Sequence, residues 1–127
     1  MPLLTLTTSK ESSTDTEQAL LSEIADTYAE RMDSDTDFLA IKYRTAARET
    51  LWLGRADPDK DVFVLEADVR AGRPLEQRRA FAVAVMDYLH EEHSIPHPNM
   101  KVVFTEHEGS HMMGYTRVGS DWEVTSN

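Results

Sequence analysis

The sequence predicts an α/β (α+β) chain in which duplicated β-α-β units form a four-stranded mixed sheet with two helices on one face. Three observations lead there. Apolar residues recur at every second position over residues 2–7 and 61–70, the period of a strand with one buried face. Each of these segments is followed by a run of helical spacing and then by another strand-like segment, so strand, helix, strand occurs twice. The halves span residues 2–43 and 61–106 and, with a tail at 107–127, are read as one domain.

Pro2 to Thr7 alternates, with Leu4 and Leu6 on one face and Leu3, Thr5 and Thr7 on the other. Proline is tolerated at that start because a first strand residue need not donate to the ladder. Thr14 followed by Glu17 has the pattern of a capping box, and a helix to about Met32 puts Leu20, Leu21, Ile24, Ala25, Tyr28 and Met32 on one stripe. Asp33-Ser34-Asp35-Thr36-Asp37 breaks it. Phe38 to Tyr43 reads as a second strand and Thr50 to Leu53 as a shorter one, before a turn at residues 56–60. Asp61 to Arg70 is the clearest strand, with Phe63, Leu65, Ala67 and Val69 on the buried face. Val62, Val64, Glu66, Asp68 and Arg70 fall on the other, a face expected to meet other subunits. Gly72 permits a tight turn, and Pro74 suits the first position of a helix to about His90 with Phe81, Ala82, Val85, Met86 and Leu89 inward. Two prolines force a loop at residues 95–99, and Met100 to Glu106 is the last strand. Tyr115 and Trp122 mark the tail as a segment that packs against something.

Charge narrows the partners. The 127 residues hold 23 acidic and 13 basic side chains, a formal charge of -10 that repels nucleic acid and anionic membranes, so neither is an expected partner. No apolar run nears the ~20 residues of a membrane span, and Met1 to Lys10 lacks a signal peptide's basic start, so a cytoplasmic location is expected. Few lysines beside many Asp and Thr resemble the bias of high-salt cytoplasm, although an acidic surface that aids solubility explains it equally. Cysteine is absent, which excludes thiolate chemistry. His90 and His93 are one residue short of the zinc-helix spacing, and His107 and His111 lie in a Gly-containing loop, so no metal or other cofactor is expected.

Against this acidic background two basic residues stand out, Arg70 and Arg73, at a strand-to-helix turn. Forked guanidiniums at the positive end of a helix make an anion site, while the ordinary reading pairs them with Glu66, Asp68 or Glu76. Pro2 is the other candidate. Without Met1 it would carry a free secondary amine whose basicity, normally near ~7.7 to 8.0 for an α-amino group, is lowered by burial and by neighbouring cations. The plain alternative is that Pro2 is only a common second residue.

Met1-Pro2 opening a strand, the duplicated plan, Val69-Arg70-Ala71-Gly72-Arg73 at a turn, and Val102-Val103-Phe104-Thr105-Glu106 leading to a segment from Ser110 to Arg117 resemble the tautomerase superfamily. Within it the pattern, which includes Phe38-Leu39-Ala40, is most similar to the cis-3-chloroacrylic acid dehalogenase group. The resemblance implies a cofactor-independent enzyme, a homotrimer, Pro2 as general base or acid, and Arg70 and Arg73, with Arg117 in the matching tail, as binders of a small carboxylate substrate. It also implies departures: Tyr28 stands where the dehalogenases carry a histidine, Val103 where they carry a tyrosine, and Gly114 where they carry a water-activating glutamate. Glu106 and Glu108 are the nearby substitutes. Alkene hydration needs a base for water, whereas moving a proton between carbon and oxygen needs one tuned base and an anion clamp. A tautomerase acting on a small carboxylated enol or ketone is therefore expected, with a dehalogenase-type hydratase or a non-catalytic trimeric scaffold as the alternatives. Tyr28 is read both as a catalytic acid and as a core tyrosine with a wet hydroxyl. Met112-Met113, the Gly109 to Tyr115 segment and Trp122 are expected at subunit boundaries.

Overall fold

The computed structural model describes residues 1–119, to which the account below is confined. In chain order they form β1 (Leu3–Thr8), α1 (Thr14–Arg31), β2 (Ala40–Thr45), β3 (Phe63–Arg70), α2 (Leu75–His93) and β4 (Met100–His107). The sheet runs β2-β1-β3-β4, with β1 parallel to β2, β3 parallel to β4, and β1 antiparallel to β3. This is the mixed sheet the duplicated pattern implied.

The register explains the core. Leu4, Leu6 and Thr8 lie opposite Ala67, Leu65 and Phe63, so the inward positions of β1 and β3 coincide and all are buried. Both helices close over that face. Leu20, Ile24 and Tyr28 of α1 and Phe81, Val85 and Leu89 of α2 join the strand residues in one apolar cluster. Phe81 is the centre of its aromatic part, edge-on to Tyr28 at 5.2 Å and to Phe104 at 6.2 Å. On the opposite face Lys42, Thr5, Glu66 and Val103 form one row across the four strands, and Val103 is 40% exposed.

Several local expectations are corrected. The cap of α1 is Ser13, not Thr14: Ser13 is extended and its hydroxyl accepts from the Thr16 N–H at 3.2 Å, which leaves Thr14 as the first helical residue. β2 begins two residues after Phe38, because residues 36–38 close into a 3-10 turn on the Asp35 carboxylate, which accepts from Asp37 N at 2.8 Å. Thr50 to Leu53 is not a strand. The Arg48 guanidinium gathers the carbonyls of Leu51, Asp57 and Lys60 and folds that segment back on itself, with Trp52 88% exposed. Pro74 caps α2 instead of beginning it, and the helix extends to His93, where Ser94 in the left-handed region (φ 58°) stops it. Val62 is buried, not outward, because it precedes the pleat and is held by the Thr8 and Ser9 hydroxyls. Gly72 does adopt a positive φ of 129°, which a side chain would strain.

One residue had no signal as an anchor. Asn99, fully buried, accepts from Asp57 N and donates to the carbonyls of Asp57, Lys60 and Asp61, so it holds the 57–61 loop against the start of β4.

Removing the Phe81 ring leaves a cavity between both helices and β4. Phe81→Ala is expected to cost about 3–5 kcal/mol, measured by urea unfolding, whereas Trp52→Ala should stay within about 0.5 kcal/mol of the parent.

Candidate active site

The antiparallel β1–β3 pairing brings the amino terminus to the far end of β3. Leu3 lies opposite Asp68, so Pro2 and Met1 project beside Arg70, the last residue of that strand. Pro2 is buried, and its carbonyl accepts from Ala40 N at 3.1 Å, which ties the terminus to β2 as well.

Three arginines meet there from separate segments. Arg70 donates from Nε to the Gly119 carbonyl at 2.8 Å. Arg73, 7% exposed, donates from Nε to the Met32 carbonyl at 2.7 Å and so also satisfies the end of α1. Arg117 sits in a tight turn closed by the Met113–Val118 bridge and by Gly114 N donating to Arg117 O at 2.9 Å. Its guanidinium lies over the Phe38 ring, 4.4 Å from the centroid. Among the described residues no ion pair joins Arg70 or Arg73 to Glu66, Asp68 or Glu76; Asp68 is engaged by His107 at 2.8 Å instead. Gly119 is required where it stands, since a Cβ would lie 2.7 Å from the Gly109 carbonyl.

These arginines, Met1, Pro2, Tyr28, Ser34, Asp35, Phe38, Val118 and Gly119 line a cavity of about 190 Å³. The five sequence-selected residues Pro2, Tyr28, Arg70, Arg73 and Arg117 are thus brought onto one wall system. Ser34, Asp35 and Phe38 were not singled out for it. In the sequence the stretch from Asp33 to Asp37 marks only the end of a helix. Topology holds the missing signal: a parallel crossover returns the chain, at the end of α1, to the level where β1 begins.

The departures are also placed. Val103 is on the exposed sheet face, Glu106 and Glu108 are exposed, and none of them lines the cavity. Gly114 abuts the amino terminus, where a Cβ would stand 3.0 Å from Met1 Cε. Met112 is buried whereas Met113 and Tyr115 are exposed, and Trp122 lies outside the described residues.

Electrostatics at the terminus follow from this geometry. Burial, and then the charges of Arg73, Arg117 and Arg70, hold the terminal amine below its ordinary value of 8.0. Tyr28 is pushed up to about 12 by burial, with Arg73 acting in the opposite sense. Its hydroxyl therefore stays protonated at neutral pH, a hydrogen-bond donor and a weak acid. Among the described residues no group of three or more His, Asp or Glu is arranged to hold a metal.

No family model and no curated protein matches the chain. Solved structures do. A fused 4-OT built as a symmetric trimer superimposes with a TM-score of 0.80 at 14% identity, over 94% of this chain and 96% of that one. FG41 malonate semialdehyde decarboxylase inhibited by 3-bromopropiolate gives 0.77 at 14%, over 91% of each chain. Macrophage migration inhibitory factor of Toxoplasma gondii gives 0.77 at 13%, over 91% of this chain and 98% of that one. These neighbours are tautomerase superfamily members, and the fold of this chain is the tautomerase fold.

A lowered amine pKa has a definite sign. The unfolded chain binds the terminal proton more readily than the folded one, so this group opposes folding at low pH and ceases to do so above about 8. N-terminally selective acylation followed by mass spectrometry across pH should give a midpoint below 8.0. Arg73→Met should move that midpoint upward, because the largest neighbouring charge is gone.

Proposed function

We propose that the protein is a cofactor-independent tautomerase of small carboxylated enols or ketones, working as a homotrimer, with the Pro2 nitrogen as general base once Met1 is removed. The observation that carries this reading is the amino terminus set among Arg70, Arg73 and Arg117 at one cavity, its amine held below 8.0. The influences that act on the Met1 amine would act on a Pro2 amine one residue along. Those influences favour the neutral form of such a nitrogen, the form that can accept a proton.

In this reading the carboxylate docks on the arginines, whose planar forks accept it with two parallel bonds. The Pro2 nitrogen removes the enol O–H proton as the carbonyl forms, and the same proton is delivered to the substrate carbon as the C=C bond becomes single. Tyr28, protonated up to about 12, donates a hydrogen bond to the developing oxygen without titrating. Similarity to a symmetric 4-OT trimer and the mixed outer face of the sheet support the trimer.

A second reading, hydration of an unsaturated carboxylate as in the dehalogenase group, is favoured by one observation. Asp35 is a carboxylate on the cavity wall, a candidate base for water in place of the side chain that Gly114 lacks.

Intact mass should show that Met1 is absent from the cellular protein, and Pro2→Ala should reduce turnover of a 2-hydroxyalkenoate strongly, with a residue of activity because alanine also offers an amine. Arg70→Lys or Arg73→Lys should lower kcat/KM about 10- to 100-fold, the loss of one charge-assisted bond worth roughly 1.5 to 3 kcal/mol, with Arg73→Lys also lowering Tm because its bond to the Met32 carbonyl is lost. Equal kcat/KM in these variants would remove the clamp. Halide release from 3-chloroacrylate that disappears in Asp35→Asn would replace the tautomerase reading with the second one. Light scattering at high salt, where the -10 charge per chain is screened, should return three times the chain mass.

A further inference from the structure

Beyond Thr8 the chain crosses to α1 through a connector, residues 9–13, which is tied down in two places. The first tie is to the approach of β3, where the Ser9 hydroxyl donates to Asp61 Oδ1 at 2.8 Å and accepts from Val62 N at 3.1 Å. The second is to the far end of α2. Lys10 Nζ lies 3.2 Å from the carbonyl oxygen of His93, the last residue of that helix, and 3.3 Å from Nδ1 of the same residue. His93 Nε2 in turn lies 3.3 Å from the Tyr88 hydroxyl oxygen. The imidazole also packs on rings, edge-on to Tyr88 with centroids 5.4 Å apart and tilted against Phe63 at 6.5 Å. Lys10, Tyr88 and His93 are all half-buried.

Donor and acceptor counting fixes the state of the ring. An ammonium only donates, so Nδ1 accepts from Lys10 and carries no proton; the neutral ring then has its proton on Nε2, which donates to the Tyr88 oxygen. A charged ring has no acceptor to offer, and its charge would face the Lys10 ammonium across 3.3 Å. Two influences oppose this preference for the neutral ring, the carbonyl end of α2, which favours a cation, and the neighbouring Glu92. They are outweighed: burial, and then the Lys10 charge, hold His93 below its ordinary value of 6.5. The Tyr88 hydroxyl is pushed above its ordinary 10.0 by burial, by Glu23 of α1 and by Glu92, and so stays protonated, while β3 presents the Phe63 ring.

We propose that Lys10, His93 and Tyr88 form an acid-released latch, which ties the connector ahead of α1 to the end of α2 while the His93 ring is neutral and lets go when that ring takes a proton. The proposal stands apart from the tautomerase reading, because the latch follows the last residue of β1 whereas Pro2 precedes the first. The unfolded ring takes a proton more readily than the folded one. The contribution of the latch to stability is therefore whole above 6.5 and is lost as pH falls below it, towards the lower value of the folded ring.

The test combines histidine NMR titration of the full chain with Tm measured from about pH 8 to about pH 5 for the parent, His93→Gln and Lys10→Met. A glutamine amide offers one acceptor and one donor, so it can keep both bonds without titrating. In the parent the His93 midpoint should lie below 6.5, and Lys10→Met should move it upward. The Tm of His93→Gln should match that of the parent at the alkaline end and exceed it at the acid end, since losses due to other groups, the terminal amine included, are common to both. A His93 midpoint at or above 6.5, a midpoint unmoved by Lys10→Met, or a His93→Gln curve parallel to that of the parent overturns the proposal. Should His93→Gln fail to fold, the titrations of the parent and of Lys10→Met decide it alone.

Discussion

The pairing of β1 with β3 is the contact on which the rest of the site depends. Parallel pairing inside each β-α-β half builds two similar units, but only the antiparallel join sets the start of one half against the end of the other. With Leu3 opposite Asp68, the amino terminus arrives at the level of Arg70 and the turn that carries Arg73. A slip of one residue would turn Leu4 and Leu6 out of the core, so burial of those two side chains also specifies where the amine lies.

Concentrating cations beside an amine is unfavourable in itself, and backbone carbonyls and a ring take part in positioning them. Arg70 is anchored on the Gly119 carbonyl, Arg73 on the Met32 carbonyl at the negative end of α1, and Arg117 on the Phe38 ring. Carbonyls and a π-face fix the direction of each guanidinium fork. The field that results depresses the amine and attracts anions. Tyr28 completes the wall from α1. Its edge-on packing against Phe81 joins the cavity wall to the centre of the core.

Strand and helix periods, Gly72 and the Arg70–Arg73 turn were legible because each is a property of nearby residues. Alternation in Phe63 to Val69 reports one buried face wherever the strand ends up, and helical stripes report the same for α1 and α2. Errors fell where a distant partner overrode local pattern: Arg48 drew three carbonyls away from a would-be strand at Thr50, and Thr8 and Ser9 drew Val62 inward.

By itself the sequence determined two β-α-β repeats, their buried faces and the residue types able to move a proton and hold an anion. Which of those types meet was decided by tertiary structure. The crossover carried Asp35 and Phe38 to the Pro2 cavity, and the β3–β4 pairing brought Asp68 to His107 across 39 positions of chain. The physical reason is that burial is read residue by residue, whereas a site is a set of distances between segments, and those distances exist only once the register of the sheet is chosen.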